Sequence, residues 1–354
     1  MEAKTKLWLV LSFVYLASKC MQQMSMENQK CLSLLSLEIL YLMLEITTIN
    51  NLPTTTKSNY IPYGIDFPSG PTGRFTNGKT TIDLIAQHLG FEGFIPPYVN
   101  INGSDILKGV NYASRELLAH NVIHYSVGLN LGDFGKAEQH LNKCLYYINI
   151  GSDYINNYFL SSYIYTLQDY SNILVNQFSQ NIQAIVLLFD VVIGIGRIGY
   201  TPNVISKNRK NGSYCDEERN NVAFMFNAKL KSLVDQFNTN FSSNSKFIFI
   251  NSTALESSLG KFAFVITKMD KFLKNYAFRQ IVSSSYVFIQ RNRAPQHNGL
   301  CIPNKTPCKN RTSYLFWDQF HPTESVNRII AMNSYNGSNP AFTYSMDIKH
   351  LVHS

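Results

Sequence analysis

The sequence predicts an α/β fold of three layers, helix on sheet on helix, around a parallel central sheet. Three stretches carry that prediction. Lys143 to Ile150 is rich in Tyr and Ile and stops at Gly151, which is a strand signal. Ile185 to Ile193 is an apolar run interrupted only at Asp190 and ended by Gly194, as suits a strand buried on both faces. Cys215 to Phe241 then carries apolar residues at helical spacing (Val222, Phe226, Leu230, Leu233, Val234 and Phe237), and Lys246 to Ile250 follows as another strand. Strand, long helix, strand is the βαβ rhythm, and it places helices on both faces of a parallel sheet.

The remaining elements follow in chain order. Lys4 and Lys6 precede the apolar run Leu7 to Ala17, and Ser18-Lys19-Cys20 offers a cleavage site, so residues 1–20 read as a secretory signal. The run is too short to span a membrane. Leu32 to Ile46 is apolar but carries Glu38 and Glu45 and few β-branched residues. It reads as a local helix that packs poorly or lies outside the core, and it is not expected to supply a well-ordered central strand. Pro62 to Gly78 is a loop by its Pro and Gly content. Thr81 to Leu89 and about Thr323 to Asn333 are helices. The organisation expected is 1–20 signal, 21–49 anomalous segment and 50–354 a single large domain, since a 354-residue chain that is 45% hydrophobic can bury one large core.

The net charge of +8 is modest and scattered, with one short cluster at Lys207, Arg209 and Lys210. A solvated face accounts for it, and nothing matches a nucleic-acid fingerprint. Seven Asn-x-Ser/Thr triplets, at Asn102, Asn211, Asn240, Asn251, Asn304, Asn310 and Asn336, fit a secreted, extracellular glycoprotein. Oxidising export permits disulfides among Cys144, Cys215, Cys301 and Cys308. No cysteine pair has zinc-site spacing. His120 and His124 imitate a zinc-binding His-Glu-x-x-His helix, but Asn121 stands where the Glu is needed and no third ligand follows. No cofactor or metal is expected.

The chemistry concentrates in Tyr314-Leu315-Phe316-Trp317-Asp318-Gln319-Phe320-His321-Pro322-Thr323-Glu324. A carboxylate three residues before a His can accept from one imidazole nitrogen, fix the tautomer, and leave the other nitrogen to act as a general base. That is two-thirds of a Ser-His-Asp apparatus. A helix cap beside a surface His is the alternative reading of the same pair.

Phe316 to Glu324 resembles the last sequence block of the GDSL esterase/lipase family, the secreted plant-type branch of the SGNH hydrolases. Other blocks resemble that family in the same order: Pro62-Tyr63-Gly64-Ile65-Asp66-Phe67-Pro68, Gly70-Pro71-Thr72-Gly73-Arg74-Phe75-Thr76-Asn77-Gly78, Gly109-Val110-Asn111-Tyr112-Ala113-Ser114 and Asn156-Asn157-Tyr158-Phe159. The resemblance runs from about Asn50 to the C-terminus. It implies the flavodoxin-like SGNH fold, acyl-ester hydrolysis by Ser, His and Asp, and a small acyl-ester or lipid substrate. A monomer without nucleic-acid partner or membrane span is expected. It assigns catalytic roles to Asp318 and His321. It would also pair Cys215 with a Cys at the position of Tyr200, which leaves Cys215 without its family partner.

Three further positions depart from the family pattern. The nucleophile Ser belongs to a Gly-Asp-Ser-Leu block between the signal and Asn50, and no such tetrapeptide occurs. Ser33 and Ser36 lie in that region, but their neighbours Leu34, Leu35 and Leu37 are too bulky for a nucleophile turn. The oxyanion Gly should follow Ala113-Ser114, where Arg115 stands. The oxyanion Asn should lie within Gly151-Ser152-Asp153, where Asp153 can only accept hydrogen bonds and would repel an oxyanion. The chain as written is therefore expected to be inactive by the family mechanism. A non-catalytic relative that binds through the old cleft is the second reading, with Tyr112, Phe316 and Trp317 expected near it, although burial is the default explanation of such aromatics.

A shifted reading frame accounts for two of the three losses. Under one choice of synonymous codons, Leu37 to Ile49 preceded by a single T reads Phe-Gly-Asp-Ser-Leu-Phe-Asp-Ala-Gly-Asn-Asn-Asn-Asn. Arg115 to Ala119 likewise contains Gly-Ala-Ala-Gly out of frame. The first strand, which the family builds just before Gly-Asp-Ser-Leu, is accordingly expected to be damaged.

Overall fold

The computed structural model describes residues 31–33, 58–97, 103–111, 119–149, 158–159, 164–183, 189–208, 216–241, 245–258 and 299–354. In chain order the elements are β1 (Cys31–Ser33), α1 (Thr81–His88), α2 (Ala119–Leu131), α3 (Phe134–Leu141), β2 (Cys144–Asn149), α4 (Leu167–Gln183) and β3 (Phe189–Ile193). They continue with α5 (Pro202–Asn208), α6 (Glu217–Asn240), β4 (Lys246–Ile250), α7 (Glu324–Asn336), β5 (Thr343–Tyr344) and α8 (Ile348–Leu351).

The five strands form one sheet in the order β1-β2-β3-β4-β5. β1 to β4 are parallel, with Leu145 opposite Phe189 and Val191 opposite Ile248. β5 joins the far edge antiparallel, Ile250 opposite Thr343. The sheet is thus mostly parallel, where the βαβ rhythm alone predicts a wholly parallel one. The two-residue β5 comes from the C-terminal tail after α7, beyond the βαβ units.

Alternation along each strand sorts the core into two layers. Tyr146, Ile148, Val192, Phe247 and Phe249 face one side, where they pack on Leu174 and Phe178 of α4 and on Val222, Phe226, Leu230, Val234 and Phe237 of α6. Leu145, Tyr147, Val191, Ile193, Ile248 and Ile250 face the other, against Ile82 and Ile85 of α1, Ala331 of α7, and Ile348 and Leu351 of α8. The apolar stripe read from the sequence in α6 is buried at every position named. β4 matches its predicted bounds, while β2 begins one residue after Lys143, α1 ends one residue early, and α7 runs three residues past Asn333.

β1 takes up the start of the Leu32 to Ile46 segment as a short edge strand, not a central one. The first two residues of that segment, with Cys31, pair in parallel register with Cys144, Leu145 and Tyr146. The strand is three residues long and lies at the edge. Local helical patterning loses here to the row of unpaired donors and acceptors that β2 would otherwise present. The rest of the segment and the signal at 1–20 lie outside the described residues, as do Cys215, Arg209 and Lys210. Cys144 is disulfide-bonded, whereas Cys301 and Cys308 carry no disulfide.

The loop that precedes α1 is anchored by a buried ion pair. Arg74 donates from Nε and Nη2 to both oxygens of Asp83, each at 2.7 Å, and its guanidinium lies 4.1 Å over the Phe67 ring. Asp83 also closes the capping box of α1, accepting from the Thr80 N–H at 2.9 Å. Arg74→Met should leave this carboxylate buried without its cation and cost about 3–5 kcal/mol. Equilibrium urea unfolding would show the loss as a lower midpoint.

Candidate active site

Phe316 bridges to Pro322 in antiparallel fashion, and the Trp317 N–H donates to the His321 carbonyl at 2.7 Å. The turn between them points the Asp318 carboxylate back into its own backbone. Oδ1 accepts the N–H groups of Phe320 and His321, both at 2.8 Å. Oδ2 lies 2.7 Å from His321 Nδ1 and accepts the Tyr63 hydroxyl at 2.6 Å. The Asp318 side chain is fully buried and that of His321 is 35% exposed. Thr323 then opens α7, its hydroxyl donating to the Tyr314 carbonyl at 2.8 Å.

The Pro- and Gly-rich stretch predicted as a loop is the frame of this turn. Phe75 stacks on the His321 ring at 4.7 Å with planes 22° apart. The Thr76 hydroxyl donates to the Pro322 carbonyl at 2.9 Å, and Asn77 Oδ1 accepts the Glu324 N–H at 2.9 Å. Asn77 Nδ2 in turn donates to Asp66, which Arg311 also holds. Gly64 makes the tight return beside Tyr63. It sits at φ +64°, and a Cβ there would lie 2.4 Å from the Gly70 carbonyl oxygen.

The turn sits at the carboxyl ends of the sheet strands. The Asn203 N–H at the start of α5, which follows β3, donates to the Gln319 carbonyl at 3.1 Å. Leu255, just after β4, packs with Leu315 and Val326. Sites in open α/β sheets lie at this end.

Burial by itself would raise the Asp318 carboxyl. The His321 charge, its hydrogen bonds and the Tyr63 hydroxyl outweigh burial and hold it below the usual carboxylate range. Burial and the Asp318 charge together push the Tyr63 phenol far above its ordinary value, so it stays protonated and can donate. In a neutral imidazole that donates from Nδ1 to this carboxylate, the lone pair is on Nε2, the arrangement of a general base.

Of the residues the sequence singles out, Asp318 and His321 are brought together as expected. Ser33 ends β1 opposite Tyr146. Ser36, Tyr112, Ser114, Arg115, Ser152 and Asp153 lie outside the described residues. Trp317 is completely buried in a small core with Tyr63 and Cys301, which is the default reading of an aromatic there and removes it from the cleft lining. His120 and His124 fall on α2, and among the described residues no group of three His, Cys, Asp or Glu could hold a metal ion. Tyr63 escaped the sequence reading as a site residue, since 255 positions separate it from Asp318. Its only signal was a large aromatic inside a Pro–Gly loop, where glycines and small polar residues are the norm.

A buried carboxylate holding an imidazole at the carboxyl ends of a mostly parallel sheet defines the acid–base half of a hydrolase-type site. The chain belongs to the family of GDSL-like lipases/acylhydrolases, whose profile matches residues 48–333. It is similar to the GDSL esterase/lipases At4g18970, At5g45670 and At1g29670 of Arabidopsis thaliana. They are 37%, 38% and 39% identical, each over 86% of this chain and 87–88% of the relative. Among the described residues no helix is long and apolar enough to cross a membrane.

The depressed carboxyl makes a stability prediction. A group whose folded pKa lies below its unfolded value stabilises the fold above the unfolded pKa, about 3.9 for Asp. That stabilisation disappears as pH falls through the folded pKa. The urea midpoint should therefore drop as pH is lowered from about 5 toward 3, and Asp318→Asn should lower the midpoint at pH 7 and flatten this acid slope.

Proposed function

We propose that this chain is an ester hydrolase of the secreted GDSL type by descent, with Asp318 and His321 as orienter and base. The text of its present sequence lacks the nucleophile Ser and the oxyanion Gly and Asn. The observation that carries the first half is the Asp318–His321 contact at 2.7 Å within a frame made of the family-like blocks. The second half rests on the absence of Gly-Asp-Ser-Leu anywhere in the chain and on Arg115 and Asp153 at the oxyanion positions. Losing a triad nucleophile costs on the order of 10⁶ in turnover. Losing an oxyanion donor costs about 10²–10³. The chain as written is therefore a non-catalytic holder of the fold, and a frame-restored product of the same gene is an active esterase.

Export is part of the same reading. It is supported by the Lys-flanked apolar N-terminus, by the Cys144 disulfide, and by exposed sequon residues Asn240, Asn304, Asn310 and Asn336. Small acyl esters or lipids are the expected substrates, with acyl length and alcohol set by loops around the site.

The test is a chromogenic short-chain ester assay on two proteins, the chain as written and one carrying Gly-Asp-Ser-Leu and Gly-Ala-Ala-Gly in place of the out-of-frame segments. We expect background hydrolysis from the first. The second should show turnover that His321→Ala abolishes and that falls as pH drops through the His321 titration, since an imidazolium cannot accept the Ser proton. Turnover by the unaltered chain that depends on His321 would overturn the inactive reading. Sequencing the transcript across codons 30–55 and 112–130 tests the frame directly. Bases there that encode Gly-Asp-Ser-Leu in no frame would refute it.

A further inference from the structure

The Asp318 carboxylate has a partner besides the His. Tyr63 is completely buried, and its hydroxyl donates to Asp318 Oδ2 at 2.6 Å, onto the same oxygen that lies 2.7 Å from His321 Nδ1. The orientation of that hydroxyl is fixed from behind. The Cys301 N–H donates into the Tyr63 oxygen at 3.1 Å, which occupies a lone pair and directs the phenolic proton toward the carboxylate. The Cys301 carbonyl accepts the Tyr60 hydroxyl at 2.7 Å, and the Tyr60 and Tyr63 rings meet edge to face at 5.3 Å. Phe75 touches both ends: it packs edge-on against Tyr63 at 5.5 Å and stacks on His321 at 4.7 Å.

We infer that Tyr63 is a positioning residue of the site, acting through Asp318 to set the orientation and the basicity of His321. This rests on the reading of Asp318 and His321 as orienter and base. His321 Nδ1 lies 2.9 Å from Oδ1 and 2.7 Å from Oδ2, and a hydroxyl on Oδ2 withdraws charge from the nearer oxygen, so the pull of the carboxylate on a proton at His321 is weaker with Tyr63 than without it. It also pins the plane of the carboxylate, whose other oxygen is held by two backbone N–H groups, and so leaves the imidazole a single ring orientation. Among the described residues, the titratable groups that face the carboxylate are Tyr63, Tyr60, Cys301 and His321. Tyr60, Tyr63 and Cys301 are held protonated and neutral by burial, so the phenol is a group whose removal changes the field on the His without removing a charge.

The test is an NMR titration of His321 in the full chain and in Tyr63→Phe, which keeps the ring and deletes the hydroxyl. No ester turnover is needed, so a failure of the hydrolase reading leaves this measurement intact. Without the hydroxyl, the charge of Asp318 falls more fully on the imidazole, and the His321 midpoint should rise by about half a pH unit to one unit. Tyr60→Phe deletes a neighbouring hydroxyl that donates to a backbone carbonyl, and it should leave the midpoint where it was. A lower stability of Tyr63→Phe would accompany either a structural or a positioning role, so the midpoint decides. A second reading on the unaltered chain covers a variant that does not fold. The Tyr63 hydroxyl proton should be visible, downfield and slow to exchange at pH 7, and should be lost in Asp318→Asn. An unmoved His321 midpoint in folded Tyr63→Phe, or no protected hydroxyl proton in the unaltered chain, would overturn the inference.

Discussion

Burial of one carboxylate organises the C-terminal half of this protein. An ionised Asp with no exposed side-chain surface survives only if donors surround it. Asp318 collects four: two N–H groups of its own turn, an imidazole and a phenol. Three of those come from Phe320 and His321 and hold locally. The phenol comes from the far side of the sequence, and to deliver it the chain must lay residues 62–78 across the turn. The hydrogen bonds from Thr76 to Pro322 and from Glu324 to Asn77 are the stitching of that overlay.

The sheet gives the overlay a fixed place to land. Two helical crossovers on one face and three helices on the other leave the carboxyl ends of β3 and β4 as the open rim. Just beyond that rim, Asn227 on α6 donates to the Ile195 carbonyl and accepts its N–H, both at 2.8 Å, which holds the strand exit. Gly194 has to be small there, because a Cβ would come within 2.9 Å of Asn227 Oδ1. α5 follows from this exit, and its first N–H meets the Asp–His turn. The geometry of the pair is thereby inherited from strand register through a short path of backbone contacts.

Much of this was readable beforehand because it rests on periodicity and spacing. The core strands and the α6 stripe are governed by burial with periods of two and 3.6, which local sequence records faithfully. The Asp–His pair is three residues apart and needs no tertiary knowledge. The places of Tyr63 and Trp317 are not legible in the sequence for the opposite reason. An aromatic in a Gly–Pro loop looks the same whether it faces solvent, a cleft or a core, and only the fold brings Tyr63 onto Asp318 and closes both over Trp317. The place of β1 is not legible in the sequence because its pairing comes from β2, 113 positions away at Cys31 and Cys144, and three residues hold too little pattern to announce a strand.

The satisfied carboxylate also bears on how a genome is read for living enzymes. If Asp318 were exchanged for an apolar residue, a phenol and two backbone N–H groups would be left buried without an acceptor, at about 1–3 kcal/mol each. Folding alone therefore favours keeping this Asp in any descendant that must still reach its native state. An intact acid–base pair is in that sense an heirloom of the architecture. Counting such pairs as signs of working catalysts would register many silent proteins as active ones, and the informative position is the nucleophile, which no fold of this kind needs in order to stand.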